Sequence, residues 1–292
     1  MTSVKRLFFL ICLILVVGIG ATAFLVKYAH RKPATVPVKT PEISGPVQKL
    51  IGKSVERRDI SSYTYGGGQK HLVFVGGIHG GYEWNSVSLA YEFMDYLAAN
   101  PNATPQNVRV TVIPSLNPDA VYKVTGKEGR FAAADVTKDV AVLESARFNA
   151  HDVDLNRNFD CKWKPTSMWK SKVVNAGSAA HSEPETQALV NFALENRPDM
   201  FLFWHSKASA VYASFCEDGI LPATDALYKA YGVASGYKAE EAFTSYEISG
   251  DAGAWLAKMG IPAISVELTT HEDTDFERNL KGIGALFEYF GK

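Results

Sequence analysis

Residues 71–84 read His-Leu-Val-Phe-Val-Gly-Gly-Ile-His-Gly-Gly-Tyr-Glu-Trp. The first half is a short apolar run with β-branched residues, the pattern of a strand buried on both faces. It stops at a glycine-framed turn. From residue 83 to about 97 the apolar positions Val87, Ala90, Tyr91, Met94 and Leu97 take up helical spacing. Strand, glycine turn and helix in that order open a parallel α/β sheet, whose ligands gather beyond the carboxyl ends of its strands. His79 and Glu83 stand at such an end.

The alternation continues along the chain. Strands are expected at 108–113, 200–204, 210–215 and 261–268, and helices at about 185–195, 223–235, 252–259 and 276–290. Ser182-Glu-Pro-Glu185 supplies a helix start, with a hydroxyl cap, proline in the first turn and early acids. The expected fold class is α/β, a three-layer α/β/α sandwich with a mixed, largely parallel central sheet. His205 and Glu267 fall at or near strand ends, as His79 does, so the three converge on one site.

Ahead of this domain, residues 7–26 carry no charge and follow Lys5 and Arg6. A helix of about 20 residues crosses a hydrocarbon layer of roughly 30 Å. Residues 1–26 therefore read as a transmembrane anchor, with a cleaved signal segment or a buried core helix as alternatives. Residues 27–49 include Pro33, Pro37, Pro41 and Pro46 and read as an extended linker, leaving residues 50–292 as one catalytic domain. This organisation places a single-pass protein in the cell membrane with its domain outside the cytoplasm, or secreted or periplasmic if the segment is cleaved. Thirty Lys and Arg against 31 Asp and Glu give a net charge of -1, which argues against a nucleic-acid partner. Cys12, Cys161 and Cys216 are too few for a disulfide scaffold and leave room for one bond, Cys161 to Cys216.

His79, Glu83 and His205 form a nitrogen–oxygen–nitrogen set suited to a catalytic zinc ion. The segment Asp154-Leu-Asn-Arg-Asn-Phe159 sets Asn156 beside Arg157, and a guanidinium in a cleft can grip a carboxylate bidentately. Glu267 is the sole acid of an apolar strand, and the task open to it is that of a general base. Tyr246 lies on a glycine-containing loop.

Taken in chain order, these blocks resemble the zinc metallocarboxypeptidase family, the carboxypeptidase A-like peptidases, in its bacterial form. The resemblance covers roughly residues 50–290. It rests on GGIHGGYEW, IPSLNPDA, the stretch Arg147 to Phe159, Ser182 to Thr186, Trp204-His-Ser206, Tyr246 with Gly250 and Trp255, and Val266-Glu-Leu268. It implies one zinc ion per chain on His79, Glu83 and His205, with Asp154 behind His79. It further implies Glu267 as base toward a zinc-bound water, and Arg147 at the developing oxyanion. Asn156 and Arg157 would take the substrate's terminal carboxylate, with Tyr246 closing over it. Gly253 matches the floor of the side-chain pocket and implies a roomy, uncharged one, although Asp251 and Glu247 stand near enough in sequence to attract a basic side chain.

Two departures stand out. Three residues separate His79 from Glu83 where the family usually has two, and Ala120 replaces a family glycine. In a rigid helix the extra residue would turn Glu83 by about 100°, whereas two glycines can absorb it in a bulge. The expected function is hydrolysis of a C-terminal peptide bond, with peptidoglycan stem peptides as candidate substrates. A murein peptide amidase or endopeptidase, a zinc acyl-amino-acid deacylase and an inactive wall-binding protein are the alternatives.

Overall fold

The computed structural model describes residues 45–292. The expected membrane segment, residues 1–26, and all but the end of the linker lie outside the described residues. Among the described residues no helix is long and apolar enough to cross a membrane. The fold begins at Val47, three residues before the expected boundary, because the end of the linker is already a strand.

Eight strands make one sheet: β1 (Val47–Lys53), β2 (Asp59–Tyr65), β3 (Lys70–Val75), β4 (Val108–Ile113), β7 (Met200–Ser206), β8 (Ala210–Ala213), β11 (Lys238–Glu240) and β12 (Ala263–Leu268). Two small hairpins stand apart, β5 (Thr166–Trp169) with β6 (Lys172–Asn175), and β9 (Phe215–Cys216) with β10 (Gly219–Ile220). The sheet runs β1-β2-β4-β3-β7-β12-β8-β11. Its centre, β4-β3-β7-β12, is parallel throughout, while β1, β2 and the β12–β8 pairing are antiparallel.

Seven helices complete the fold: α1 (Trp84–Ala99), α2 (Pro118–Thr125), α3 (Val140–Ser145), α4 (Pro184–Asn196), α5 (Pro222–Ser235), α6 (Ala252–Lys258) and α7 (Phe276–Phe290). Side chains alternate across each strand. Leu72, Phe74, Leu202 and Trp204 pack with α1, α5 and α7, while Val73, Val75, Phe201 and Phe203 pack with α4 and α6. Helices thus cover both faces of the sheet, as expected.

Several elements differ from the sequence reading. β1 and β2 were not expected, because β1 is largely exposed and β2 alternates through serines rather than apolar residues. Ser182 is not the cap of α4. Its hydroxyl donates to Glu183 Oε1 at 2.7 Å, and Glu183 itself precedes Pro184 at the first helical position. The Asn-Pro-Asp segment starts α2: the Asn117 side chain accepts from the Ala120 N–H, and Pro118 follows it. Asp119 accepts from Ser54 Oγ at 2.6 Å, the Glu56 N–H at 2.9 Å and Arg58 Nη1 at 2.8 Å, tying the β1–β2 turn to the helix.

His71, near the start of β3, is buried between strands. Arg109 Nη2 donates to its Nδ1 at 3.3 Å, and its Nε2 lies 2.8 Å from Thr111 Oγ1. An arginine can only donate, so Nδ1 carries the lone pair and the ring is neutral. Burial pushes the His71 pKa down to about 4, and the Arg109 charge acts the same way. Below its ordinary value of 6.5 the unfolded chain binds a proton that the folded chain refuses. Stability therefore falls as pH drops from about 6.5 to about 4, by up to about 3 kcal/mol from this residue alone. Urea unfolding of the wild type and of His71→Gln at neutral and acid pH checks this, and the variant should lose less stability on acidification.

Candidate active site

β3 ends at Val75, and the chain turns through Gly76 and Gly77 to bring His79 to the edge of the sheet. The next four residues, Gly80–Glu83, form one turn of 3-10 helix before α1 begins at Trp84. Gly80 holds φ +48, a left-handed value that side chains rarely adopt. A Cβ on Gly80 would collide with the Ala120 methyl, and one on Gly81 would press on the Ala120 carbonyl and Val124. The extra residue is absorbed in this glycine turn, and Glu83 comes back to face His79.

The three expected ligands meet. His79 Nδ1 lies 2.8 Å from Glu83 Oε1, His205 Nδ1 lies 3.1 Å from Glu83 Oε2, and the two Nδ1 atoms are 3.2 Å apart. All three residues are buried. Two imidazole nitrogens and a carboxylate pointing at one spot place lone pairs against each other, an arrangement that a divalent cation at their centre would satisfy. The opposite nitrogen of His79, Nε2, is buried, has no hydrogen-bond partner, and faces Asp154 Oδ1 at 3.6 Å. A ring whose Nδ1 binds metal carries its proton on Nε2, so Asp154 stands where that proton would be oriented. The residues fit a zinc ion.

The electrostatics agree with the geometry. Burial would raise the Glu83 carboxyl, but the two imidazoles hold it well below the usual range. Burial pushes His79 down to about 4, helped by the Arg147 charge. For His205 burial is outweighed by the hydrogen bond and charge of Glu83, which raise it.

Glu267 is the register partner of His205 across the β12–β7 pairing. Burial lifts its carboxyl to about 7, and the Glu83 charge adds to the lift. Arg147 donates to Asp154 through Nε at 2.9 Å, with Nη2 also 2.9 Å away, and its guanidinium lies over the Trp169 ring at 4.8 Å. Its Nη1 lies 3.8 Å from Glu83 Oε1.

A cavity of about 180 Å³ opens beside this centre. His79, His205, Glu267, Arg147, Asn156, Arg157 and Tyr246 all line it. Asn156 Oδ1 accepts from the Ala252 N–H at 2.9 Å, which fixes the side chain and leaves its NH2 group without a partner among the described residues. Arg157 gives three N–H groups to backbone oxygens, two to Met168 and one to Asn156. Of its five donors, two remain. Tyr246 is half-buried, edge-on to Phe243 at 4.8 Å, and burial raises its phenol.

Gly253 does not line the cavity. A Cβ there would run into the Ser214 hydroxyl, so the surface at that point belongs to Ser214 rather than to the glycine. Asp251 does line it, while capping α6 by accepting from the Ala254 N–H at 2.9 Å. Glu247 is exposed and pairs with Lys164 at 3.0 Å, away from the cavity lining. Cys161 and Cys216 form a disulfide, and both belong to the cavity wall. Tyr212, Phe243, Ser214 and Ser265 also line it and were not singled out in the sequence. Ser265 was within reach, since a residue two before Glu267 on a strand shares its face.

The zinc carboxypeptidase family model matches residues 40–277. The chain belongs to the zinc carboxypeptidase family. It is 32% identical to human carboxypeptidase A6 over 141 residues, covering 42% of this chain and 32% of that protein. It is 27% identical to murein peptide amidase A of Vibrio campbellii over 154 residues, covering 49% of this chain and 58% of the relative. The matched stretches thus span about a third and somewhat over half of these relatives' lengths. Among solved structures, bovine thrombin-activatable fibrinolysis inhibitor superposes with a TM-score of 0.65 at 17% identity, over 84% of this chain and 90% of that one. The murein-tripeptide amidase of Escherichia coli O157 gives 0.58 at 21% identity, over 82% and 91%. At such identities the superpositions show a shared fold.

The glycine turn is open to a direct check. Gly80→Ala should cost about 2 kcal/mol of stability from its left-handed backbone and the collision with Ala120, and should weaken zinc retention. Adding Ala120→Gly should recover part of both. Thermal unfolding and metal content after dialysis measure the two effects.

Proposed function

We propose that the chain is a zinc-dependent carboxypeptidase that releases the C-terminal residue of peptides, with peptidoglycan stem peptides as its substrate class. The observation that carries this reading is the shared cavity. Asn156 and Arg157, with their spare N–H donors, line the same space as His79, His205 and Glu267. A free carboxylate held at one end sets the last peptide bond at the other. The similarity to murein peptide amidases supports the choice of stem peptides.

One zinc ion would be held by His79, Glu83 and His205, and when bound it supplies Lewis-acid polarisation of the scissile carbonyl. Glu267 takes the proton of the attacking water as the new C–O bond forms. It then returns that proton to the leaving nitrogen as the C–N bond breaks. A carboxyl lifted toward neutrality by burial suits a group that must do both. Arg147, anchored by Asp154 and stacked on Trp169, offers Nη1 to the carbonyl oxygen as negative charge develops there. Tyr246 closes over the bound residue and excludes water.

We further place the domain outside the cytoplasm, tethered by residues 1–26. The apolar N-terminal segment supports this, and so does the Cys161–Cys216 bond, since disulfides persist in oxidising compartments. The amidase reading uses the same metal and base but no terminal carboxylate.

Two measurements on the full zinc-loaded chain test the proposal. Peptides with a free C-terminus should be cleaved about 100-fold faster in kcat/KM than their C-terminal amides. Equal rates would favour an amidase or endopeptidase. Glu267→Gln should keep its zinc and lose on the order of 10³-fold in kcat.

A further inference from the structure

On the peptidase reading, the leaving residue fills the cavity and the scissile carbonyl lies at the His79–Glu83–His205 centre. The acyl half of the substrate must then run out past the ligands, away from Asn156 and Arg157. What stands there follows from the chain itself, because Tyr82 immediately precedes Glu83 and Ser206 immediately follows His205. His271 joins the two. Its Nδ1 lies 2.9 Å from Ser206 Oγ, and its ring centroid is 4.6 Å from that of Tyr82. Tyr82 also meets Trp169 edge-on at 5.1 Å. None of Tyr82, Trp169 and His271 lines the cavity, so they form a separate surface on the other side of the metal centre.

This surface is edged by positive charge. Lys170, at the tip of the β5–β6 hairpin, donates from Nζ to the Tyr82 hydroxyl at 3.1 Å and sits 5.1 Å from the Trp169 ring centroid. Lys207 follows Ser206. Both lysines are exposed. The neighbouring Lys172 is neutralised by Glu144 at 2.9 Å, whereas among the described residues neither Lys170 nor Lys207 forms an ion pair. Burial holds the His271 imidazole below its ordinary value. Glu83 opposes that shift, and Lys207, Lys170 and Arg147 reinforce it. Of the charges acting there, Arg147 is paired with Asp154 and Glu83 belongs to the metal centre. The two lysines are left without a counter-charge.

We propose that Lys170 and Lys207 bind a carboxylate on the substrate residue that supplies the scissile carbonyl, so that the protein selects peptides with a negative charge on the acyl side of the cleaved bond. This rests on the peptidase reading above. The Tyr82 hydroxyl and the Trp169 ring hold the Lys170 ammonium in place, which lowers the entropy lost when it pairs. The carboxylate has two chemical sources. It is either the side chain of an α-linked acidic residue or the free α-carboxyl of a glutamyl residue linked through its side chain. Arms of the experiment distinguish them.

The full chain, loaded with zinc, is given two pairs of peptides that differ only at this residue. One pair has α-linked Glu or Gln, and the other has γ-linked Glu or its α-amide. At low salt the charged member of at least one pair should be hydrolysed about fivefold faster in kcat/KM, an advantage of the size exposed ion pairs provide. The pair with the larger ratio names the source. The advantage should shrink at about 0.5 M salt and fall toward one in the Lys170→Met/Lys207→Met double variant. It should persist in the Lys170→Arg/Lys207→Arg variant, which keeps both charges. Brisk hydrolysis of all four peptides with no preference in the wild type would overturn this inference and leave the peptidase reading standing. A folded, zinc-replete sample that cleaves none of them would overturn both.

Discussion

The site depends on bringing together groups that repel one another. Two imidazole nitrogens 3.2 Å apart, with a carboxylate within 3.1 Å of each, crowd lone pairs into a buried space where water cannot screen them. Such an arrangement costs free energy unless a cation occupies the centre, and the rest of the fold supplies the rigidity that holds it. β3 and β7 run in parallel and are paired directly, so His79 and His205 leave the sheet at the same edge. The glycine turn then returns Glu83 to the pair. Metal affinity is in this sense a property of the sheet, whose hydrogen-bonded strands keep the ligands from spreading apart.

A second group of charges offsets the first. Asp154 faces His79 and takes the Arg147 guanidinium, while the charge of Arg157 also helps hold the Asp154 carboxyl down against burial. The Asp-Leu-Asn-Arg segment thereby links the metal centre to the far wall of the cavity within four residues. The same short 3-10 turn carries the anchor for a ligand and two residues of the substrate wall. Its compactness explains why so polar a segment is almost wholly buried.

Much of this was legible in the sequence because the functional residues sit where periodicity changes. HLVFVGG is an apolar strand broken by glycines, PAISVEL an apolar strand with one acid, and both patterns persist without any knowledge of neighbours. The sheet edges were silent for the opposite reason. β2 buries Ile60 and Ser62 on one face, and a buried serine gives no hydrophobic signal. The floor of the cavity was misplaced from Gly253 to its neighbour because a sequence cannot show that Ser214, some forty positions earlier, packs against that glycine. The Tyr82–His271–Lys170 surface was invisible too. Its members come from three distant segments and share no spacing.

Across the middle of the sheet, His205 and Glu267 occupy one rung of a hydrogen-bonded ladder, at the fixed spacing of about 4.8 Å that separates paired strands. The cavity walls instead come mostly from connecting segments, the stretch after Phe159, the β9 hairpin and the Tyr246 loop. Backbone geometry sets the first distance whatever side chains surround it, whereas the walls are set residue by residue. Substitutions, insertions and changes of charge in those walls therefore alter which peptide is accepted without retuning the ligand–base pair. What the molecule cuts is free to diverge between lineages while the way it cuts stays the same.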